Sequence, residues 1–258
     1  MRIGFIGFGK MGSALASSLK KSGEKTVIFD RNKEALAKAK QDGFEAADSA
    51  SETAKKSGII FVCVKPQDLG ETLSEIKSDA KGKIVVSIAA GKKISSMKSV
   101  LGEAKIVRVM PNINALAGAS MNVFTSQNLN SAEKKIIKSL LEKCGSAVEM
   151  PEEKFDAVTA LSGSGPAFAA YFIDCLAEAG EKNGLSGKDS RELALNTVLG
   201  TAKLLKENNM RPIEVVEMVS SPNGTTVAGR KFLESGEFKK IISETVTAAR
   251  KRSEELGR

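Results

Sequence analysis

The sequence predicts an α/β half built on a doubly wound, mostly parallel sheet, followed by an all-α half. Three observations carry this. Short apolar runs alternate with helical stretches up to about residue 150. The first run leads straight into Gly7-Phe8-Gly9-Lys10-Met11-Gly12. Beyond Glu153 strand signals stop and helical periodicity takes over. The expected halves are therefore residues 1–153 and 154–258.

Each element has a local reason. Ile3–Gly7 is β-like, and Lys10–Lys20 carries Met11, Leu15 and Leu19 at helical spacing before Gly23 stops it. Val27–Phe29 is the second strand, and Asn32–Gln41 is a helix ended by Gly43. Ile59–Val64 is almost continuously apolar, as a strand buried on both faces should be. Pro66 opens a helix expected to run to about Asp79. Ile84–Ile88 and Ile106–Met110 are further strands. Ser131–Lys143 is a helix with Ile136, Ile137, Leu140, Leu141 and Cys144 on one face. Asn130 and Glu133 have capping-box spacing, Gly145 ends that helix, and Ala147–Met150 closes the sheet. The second half reads as helices from Pro166, over Arg191–Asn208, Pro212–Val219 and Thr225–Glu234, and over Phe238–Leu256. About 105 residues with many small positions make a slight core. Such a half is expected to bury one face against a second copy.

Composition removes whole classes of chemistry. There is no His, so Ser-His-Asp triads, Cys-His dyads, His general acids and His-ligated zinc are excluded. Cys63, Cys144 and Cys175 are far apart and form no CxxC pair, so they read as reduced core thiols of a cytoplasmic protein, and no metal site is expected. No apolar run approaches the roughly 20 residues of a membrane span. The N-terminus reads as a strand rather than a signal peptide. Residues 1–150 hold 24 Lys/Arg against 15 Asp/Glu, whereas residues 151–258 hold 15 against 16. The lysines of the basic half are dispersed and lack interleaved aromatics. That argues against nucleic acid and leaves an anionic cofactor as the candidate ligand.

Gly7-Phe8-Gly9-Lys10-Met11-Gly12 is GxGxxG between a strand and a helix, the Rossmann dinucleotide fingerprint. Gly7 permits the tight turn, Gly9 lets a pyrophosphate approach the backbone, and Gly12 allows close helix–strand packing. The N–H groups and dipole at the helix start favour phosphates. Asp30, 18 residues beyond Gly12, is placed to accept from adenosine ribose hydroxyls and favours NADH. Arg31 follows at once, and a guanidinium there grips a 2′-phosphate and favours NADPH. The two signals conflict, so NADPH and NADH both stay open. Val64-Lys65-Pro66 ends a strand at the carboxyl edge where open sheets bind ligands. Lys65 is either a partner for anions there or a solvated loop lysine. Ala89 and Ala90 are small enough to admit a nicotinamide ribose, and Asn112 is either a carboxamide partner or a loop cap.

In the helical half, Leu161-Ser162-Gly163-Ser164-Gly165-Pro166-Ala167 precedes one helix. Ser220-Ser221-Pro222-Asn223-Gly224-Thr225-Thr226 precedes another and presents hydroxyls and N–H groups suited to a carboxylate. Each taken alone is an ordinary capped turn. Together with GFGKMG, VKP, SIAAG and RVMPN, in this order, the chain from Ile3 to about Glu255 resembles pyrroline-5-carboxylate reductase. The resemblance implies reduction of Δ1-pyrroline-5-carboxylate to L-proline with NAD(P)H, the last step of proline biosynthesis. It also implies an N-terminal Rossmann domain and an all-α dimerisation domain, in a homodimer or a larger ring of dimers. Ser221, Asn223, Gly224, Thr225 and Thr226 would then hold the substrate carboxylate, with Thr226 on the ring nitrogen as catalytic residue. Asn223 stands where the family usually has Gly, and Asn tolerates positive φ. Asn196-Thr197 stands where Gln-Thr is common. The alternatives are a reductase of a related cyclic imine and a β-hydroxyacid or 6-phosphogluconate-type dehydrogenase. The second would place a catalytic lysine on a long helix, where Phe168–Lys182 offers only Lys182 at its far end.

Overall fold

The computed structural model describes residues 2–257. These form two compact units, residues 165–247 and the remainder. In the first unit an eight-stranded sheet has the order β3-β2-β1-β4-β5-β6-β7-β8. Its strands are β1 (Arg2–Ile6), β2 (Lys25–Phe29), β3 (Glu45–Ala46), β4 (Ile59–Val62), β5 (Ile84–Ser87), β6 (Lys105–Met110), β7 (Ser120–Gln127) and β8 (Gly145–Glu149). All neighbours are parallel except β6 and β7. The helices of this unit are α1 (Lys10–Lys21), α2 (Lys33–Gln41), α3 (Ala50–Lys56), α4 (Leu69–Ile76), α5 (Ile94–Leu101), α6 (Ser131–Glu142) and α7 (Phe155–Val158).

Period-two alternation divides the strand side chains between two cores. Ile3, Phe5, Ile59, Phe61, Val86 and Val107 join Leu15, Leu19, Leu140 and Leu141 of α1 and α6 on one face. Ile60, Val62, Val85 and Ile106 join Ala54, Leu73 and Met97 of α3, α4 and α5 on the other. Phe5 and Phe61 stack across β1 and β4 with centroids 4.8 Å apart. This two-sided burial explains the unbroken apolar run of β4. The strand order reverses between β1 and β4, and the carboxyl ends of these two strands flank the crevice where sheets of this kind bind ligands.

The structure corrects several boundaries. The helix expected from Pro66 to Asp79 is confined to α4, because residues 66–68 form a turn before Leu69. The sequence reading missed β3, α3, α5 and β7. Ser49 caps α3 by accepting from the Glu52 N–H, and α3 lies so close to β1 that a Cβ on Gly4 would come 2.4 Å from Ser57 Oγ. The expected capping box of Asn130 and Glu133 is present, but Ile136 lies off the buried face of α6.

The second unit contains α8 (Gly165–Lys182), α9 (Gly187–Glu207), α10 (Pro212–Met218), α11 (Thr225–Ser235) and most of α12 (Phe238–Leu256). Among its apolar side chains only Ala177 and Ala194 are buried. Tyr171, Phe172, Leu176, Leu195, Leu199 and Phe232 are exposed. Cys175 is exposed on α8 as well, which corrects the expectation of three core thiols. The end of α12, from Ala248, belongs with the first unit. There Ser253 Oγ donates to Asp156 Oδ1 at 2.6 Å, and a Cβ on Gly91 would come 3.1 Å from the Leu256 carbonyl oxygen.

Candidate active site

A pocket of about 290 Å³ opens at the reversal point of the sheet. It gathers Gly7, Gly9, Asp30, Arg31, Val64 and Lys65 from the expected set. Gly7 has φ +102°, and a Cβ there would strike the Cys63 carbonyl at 2.6 Å. A Cβ on Gly12 would meet the Gly7 carbonyl oxygen at 2.2 Å. Gly9 is different. Nothing lies within 4 Å of its imagined Cβ, and as N-cap of α1 it makes no side-chain bond to the first-turn N–H groups. The space beside Gly9 at the start of α1 is therefore open, and the first-turn N–H groups there have no side-chain cap.

Asp30 does more than face the pocket. Its Oδ2 accepts from the Phe8 N–H at 2.6 Å, and its Oδ1 accepts from the Asn32 N–H at 2.7 Å. The carboxylate therefore braces the glycine loop against the end of β2. Arg31 reaches α4 and pairs with Glu71 at 2.9 Å and Glu75 at 3.5 Å. The hydrogen bond from Arg31 holds the Glu71 carboxyl below its ordinary value, and Glu71 in turn raises the guanidinium.

The sequence reading missed Asp68, Thr72 and Glu75, which also line the pocket. Asp68 is the N-cap of α4, and Thr72 and Glu75 follow at spacings of four and three on the same side of that helix. Ala50 at the start of α3 lines it too. Cys63 is a further lining residue, and burial pushes its thiol well above the usual range.

The remaining expected cofactor residues lie outside this pocket's lining. The Phe8 ring is buried against Phe44 at 5.3 Å. Met11 packs on the same core, Lys10 is exposed, and Pro66 lies in the turn before α4. Ala89 is buried and Ala90 exposed after β5. Asn112 follows β6 and is engaged by protein on both sides of its amide. Its Oδ1 accepts from the Asn114 N–H at 3.2 Å, and its Nδ2 donates to the Ser162 carbonyl at 3.2 Å. Ser162 lies in a π-helical turn, Thr159–Gly163, at the end of the first unit.

In the second unit, α11 starts at the other expected segment. Asn223 has φ +60°, so it adopts the left-handed conformation usually supplied by Gly. The Gly224 N–H donates to the Ser221 carbonyl at 3.0 Å. A Cβ on Gly224 would come 2.5 Å from Ser221 Oγ. Gly224 caps α11 without a side-chain bond, and Ser221, Thr225 and Thr226 are exposed. The result is an open helix N-terminus edged by hydroxyls.

Residues 152–256 match the family model for pyrroline-5-carboxylate reductase dimerisation. Residues 2–91 match that for NADP oxidoreductase, coenzyme F420-dependent. A pyrroline-5-carboxylate reductase from Aquifex aeolicus is 41% identical over 99% of this chain and 97% of its own length. The chain belongs to the pyrroline-5-carboxylate reductase family. A pyrroline-5-carboxylate reductase from Methanosarcina acetivorans is 38% identical over 100% of this chain and 98% of its own. The crystal structure of Plasmodium falciparum pyrroline carboxylate reductase with NADP bound superposes with a TM-score of 0.88 at 33% identity. It covers 100% of this chain and 98% of that one. The Rossmann-type sheet and helical C-terminal half are those of a pyrroline-5-carboxylate reductase, and the hydroxyacid-dehydrogenase alternative is not favoured.

Proposed function

We propose that this protein reduces Δ1-pyrroline-5-carboxylate to L-proline, the last step of proline biosynthesis. The observation that carries the reading is the turn at Ser221–Thr226, an anion-sized helix N-terminus in a chain similar to these reductases over its whole length. When bound, NADPH or NADH supplies a hydride to C5 of the cyclic imine. Gly7, Gly9 and the start of α1 would hold its pyrophosphate, with Asp30 and Arg31 at the adenosine end.

The chain's own contribution is binding and orientation. N–H groups of the first turn of α11, with the hydroxyls of Ser221 and Thr225, would donate to the substrate carboxylate. Thr226 would hydrogen-bond the ring nitrogen and fix the ring. A protonated imine is already electrophilic, so positioning supplies most of the barrier reduction. The absence of His fits this chemistry. A ketone becomes an alkoxide that needs a proton donor, whereas a basic imine nitrogen can arrive protonated.

Residues 154–258 are assigned substrate binding and dimerisation, and 1–153 cofactor binding. The exposed apolar side chains of α8, α9 and α11 support a homodimer, with a larger ring of dimers open to test. No described helix is long and apolar enough to cross a membrane. A cytoplasmic location is part of the proposal, as is the lack of any nucleic-acid or membrane partner.

The test is oxidation of NADPH and NADH by purified protein with pyrroline-5-carboxylate, with proline measured directly. A six-membered imine and 3-hydroxyacids in reverse are the comparison substrates. Turnover with the five-membered imine is expected, and none would overturn the assignment. Light scattering should give at least twice the 27.3 kDa chain mass; a stable monomer would overturn the dimer.

A further inference from the structure

The acidic face of α4 bears on which dinucleotide the pocket prefers. The charged side chains lining it are Asp30, Asp68 and Glu75 against Arg31 and Lys65. Both Asp30 oxygens already accept backbone N–H bonds; of the two lining cations, Arg31 is the one next to Asp30 at the end of β2, where the adenosine ribose is proposed to lie. That guanidinium is not idle. Glu71 holds Nη1 at 2.9 Å, and Glu75 stands 3.5 Å from Nη2. Glu71 lies outside the pocket lining, whereas Glu75 is part of it. The two carboxylates therefore differ in what they do to an incoming anion. Glu71 tethers the arginine from behind. Glu75 neutralises it from within the pocket and repels a second anion beside it.

We propose that Glu75 is a specificity-determining residue that opposes a 2′-phosphate at Arg31, with Glu71 as the positioning tether. This rests on reading the pocket as the adenosine site. Together they set the chain to accept plain and 2′-phosphorylated adenosine with a narrow preference, where an uncontested arginine would select the phosphate strongly. The physical basis is a like-charge contact at the rim of a pocket, strong enough to matter and weak enough to be screened by salt.

Calorimetric titration of 2′,5′-ADP and 5′-AMP isolates the phosphate from the nicotinamide and from turnover. The ratio of their dissociation constants is the readout, in wild type, Glu75→Gln, Glu71→Gln and Arg31→Ala. These side chains are exposed, so the variants should fold, and thermal scans check it. Glu75→Gln should raise the preference for 2′,5′-ADP by roughly 5- to 30-fold at low salt, with the gain shrinking as salt rises. Binding of 5′-AMP should change by less than about threefold, the scale of a single exposed charge contact. Glu71→Gln should raise the preference less. Arg31→Ala should abolish it. An unchanged or smaller ratio in Glu75→Gln, with Arg31→Ala still lowering it, overturns the proposal and leaves the adenosine site standing. Failure of wild type to bind either nucleotide overturns the pocket assignment itself.

Discussion

Gly9 and Gly12 stand three residues apart in one motif, yet a methyl group at each should do opposite things. At Gly9 the added Cβ meets nothing within 4 Å, and φ −70°, ψ −169° suits alanine. Reduced freedom of the unfolded chain should stabilise Gly9→Ala by roughly 0.4–1 kcal/mol. Alanine is also a poorer N-cap than glycine, at a cost of about the same size. The apoprotein should therefore melt within about 3 °C of wild type. The methyl group instead occupies the space assigned to the pyrophosphate. Overpacking of that kind costs roughly 1–3 kcal/mol, which weakens NADPH binding about 5- to 150-fold. At Gly12 the Cβ would lie 2.2 Å from the Gly7 carbonyl oxygen, a backbone atom. Here the same overpacking cost falls on the fold, lowering Tm by roughly 2–12 °C. Thermal scans of the apoprotein and fluorescence titration with NADPH separate the two effects. If Gly9→Ala melted as early as Gly12→Ala and bound NADPH like wild type, the cradle would be wrongly placed.

Thr226→Ala should lower kcat/KM roughly 10- to 1000-fold, the loss of one positioned hydrogen bond, with NADPH binding unchanged; unchanged steady-state kinetics would remove Thr226 from the mechanism. Burial pushes the Cys144 thiol up to about 11, so iodoacetamide at pH 8 followed by mass mapping should leave Cys144 unlabelled until urea unfolds the protein. Glu133 is held below its ordinary value, first by its hydrogen bond from Lys105 and then by the Asn130 N–H. Its folded pKa lies under the unfolded one, so the stabilisation is complete above the unfolded value near about 4.3 and disappears as pH falls through the folded value. Glu133→Gln keeps the cap to Asn130 but loses the ion pair, so it should cost about 0.2–1 kcal/mol at pH 7 and nothing at pH 2 in denaturant titrations; a cost that persisted at pH 2 would assign the effect to packing.

How much of the fold was legible depended on what each element had to bury. Strand β4 sits between two helix layers and announces itself as Ile59–Val62 without a polar break. Helix α3 buries only Ala50, Thr53 and Ala54 in seven residues, too little apolar surface to make a periodic signal. Its packing rests on Gly4 and Ser57 in close approach, a contact that reads as nothing in a hydropathy pattern. Strand β7 escaped for another reason. Its Ser120 and Asn122 are buried and satisfied, the Asn122 amide donating to the Leu141 and Ser146 carbonyls. A polar residue at a core position looks like a loop until its partners are known.

The site shows the same division between backbone and side chain. What backbone geometry dictates was readable: the glycines at 7 and 12, and Asn223 replacing a glycine because the turn demands φ near +60°. What depends on partners distant in sequence was not. Asp30 has the position of a ribose acceptor, but the fold also uses it to hold the Phe8 N–H, a bond across 22 residues. Arg31 has the chemistry of a phosphate grip, but Glu71 and Glu75 lie 40 and 44 residues on and arrive only when α4 packs beside β1 and β4. Asn112, open between carboxamide partner and loop cap, meets Ser162 across 50 residues. A motif thus names the atoms that can face a ligand. The fold decides how many are already occupied, and in the proposed adenosine site the engagement of Arg31 with Glu71 and Glu75 is what a cofactor phosphate would compete with.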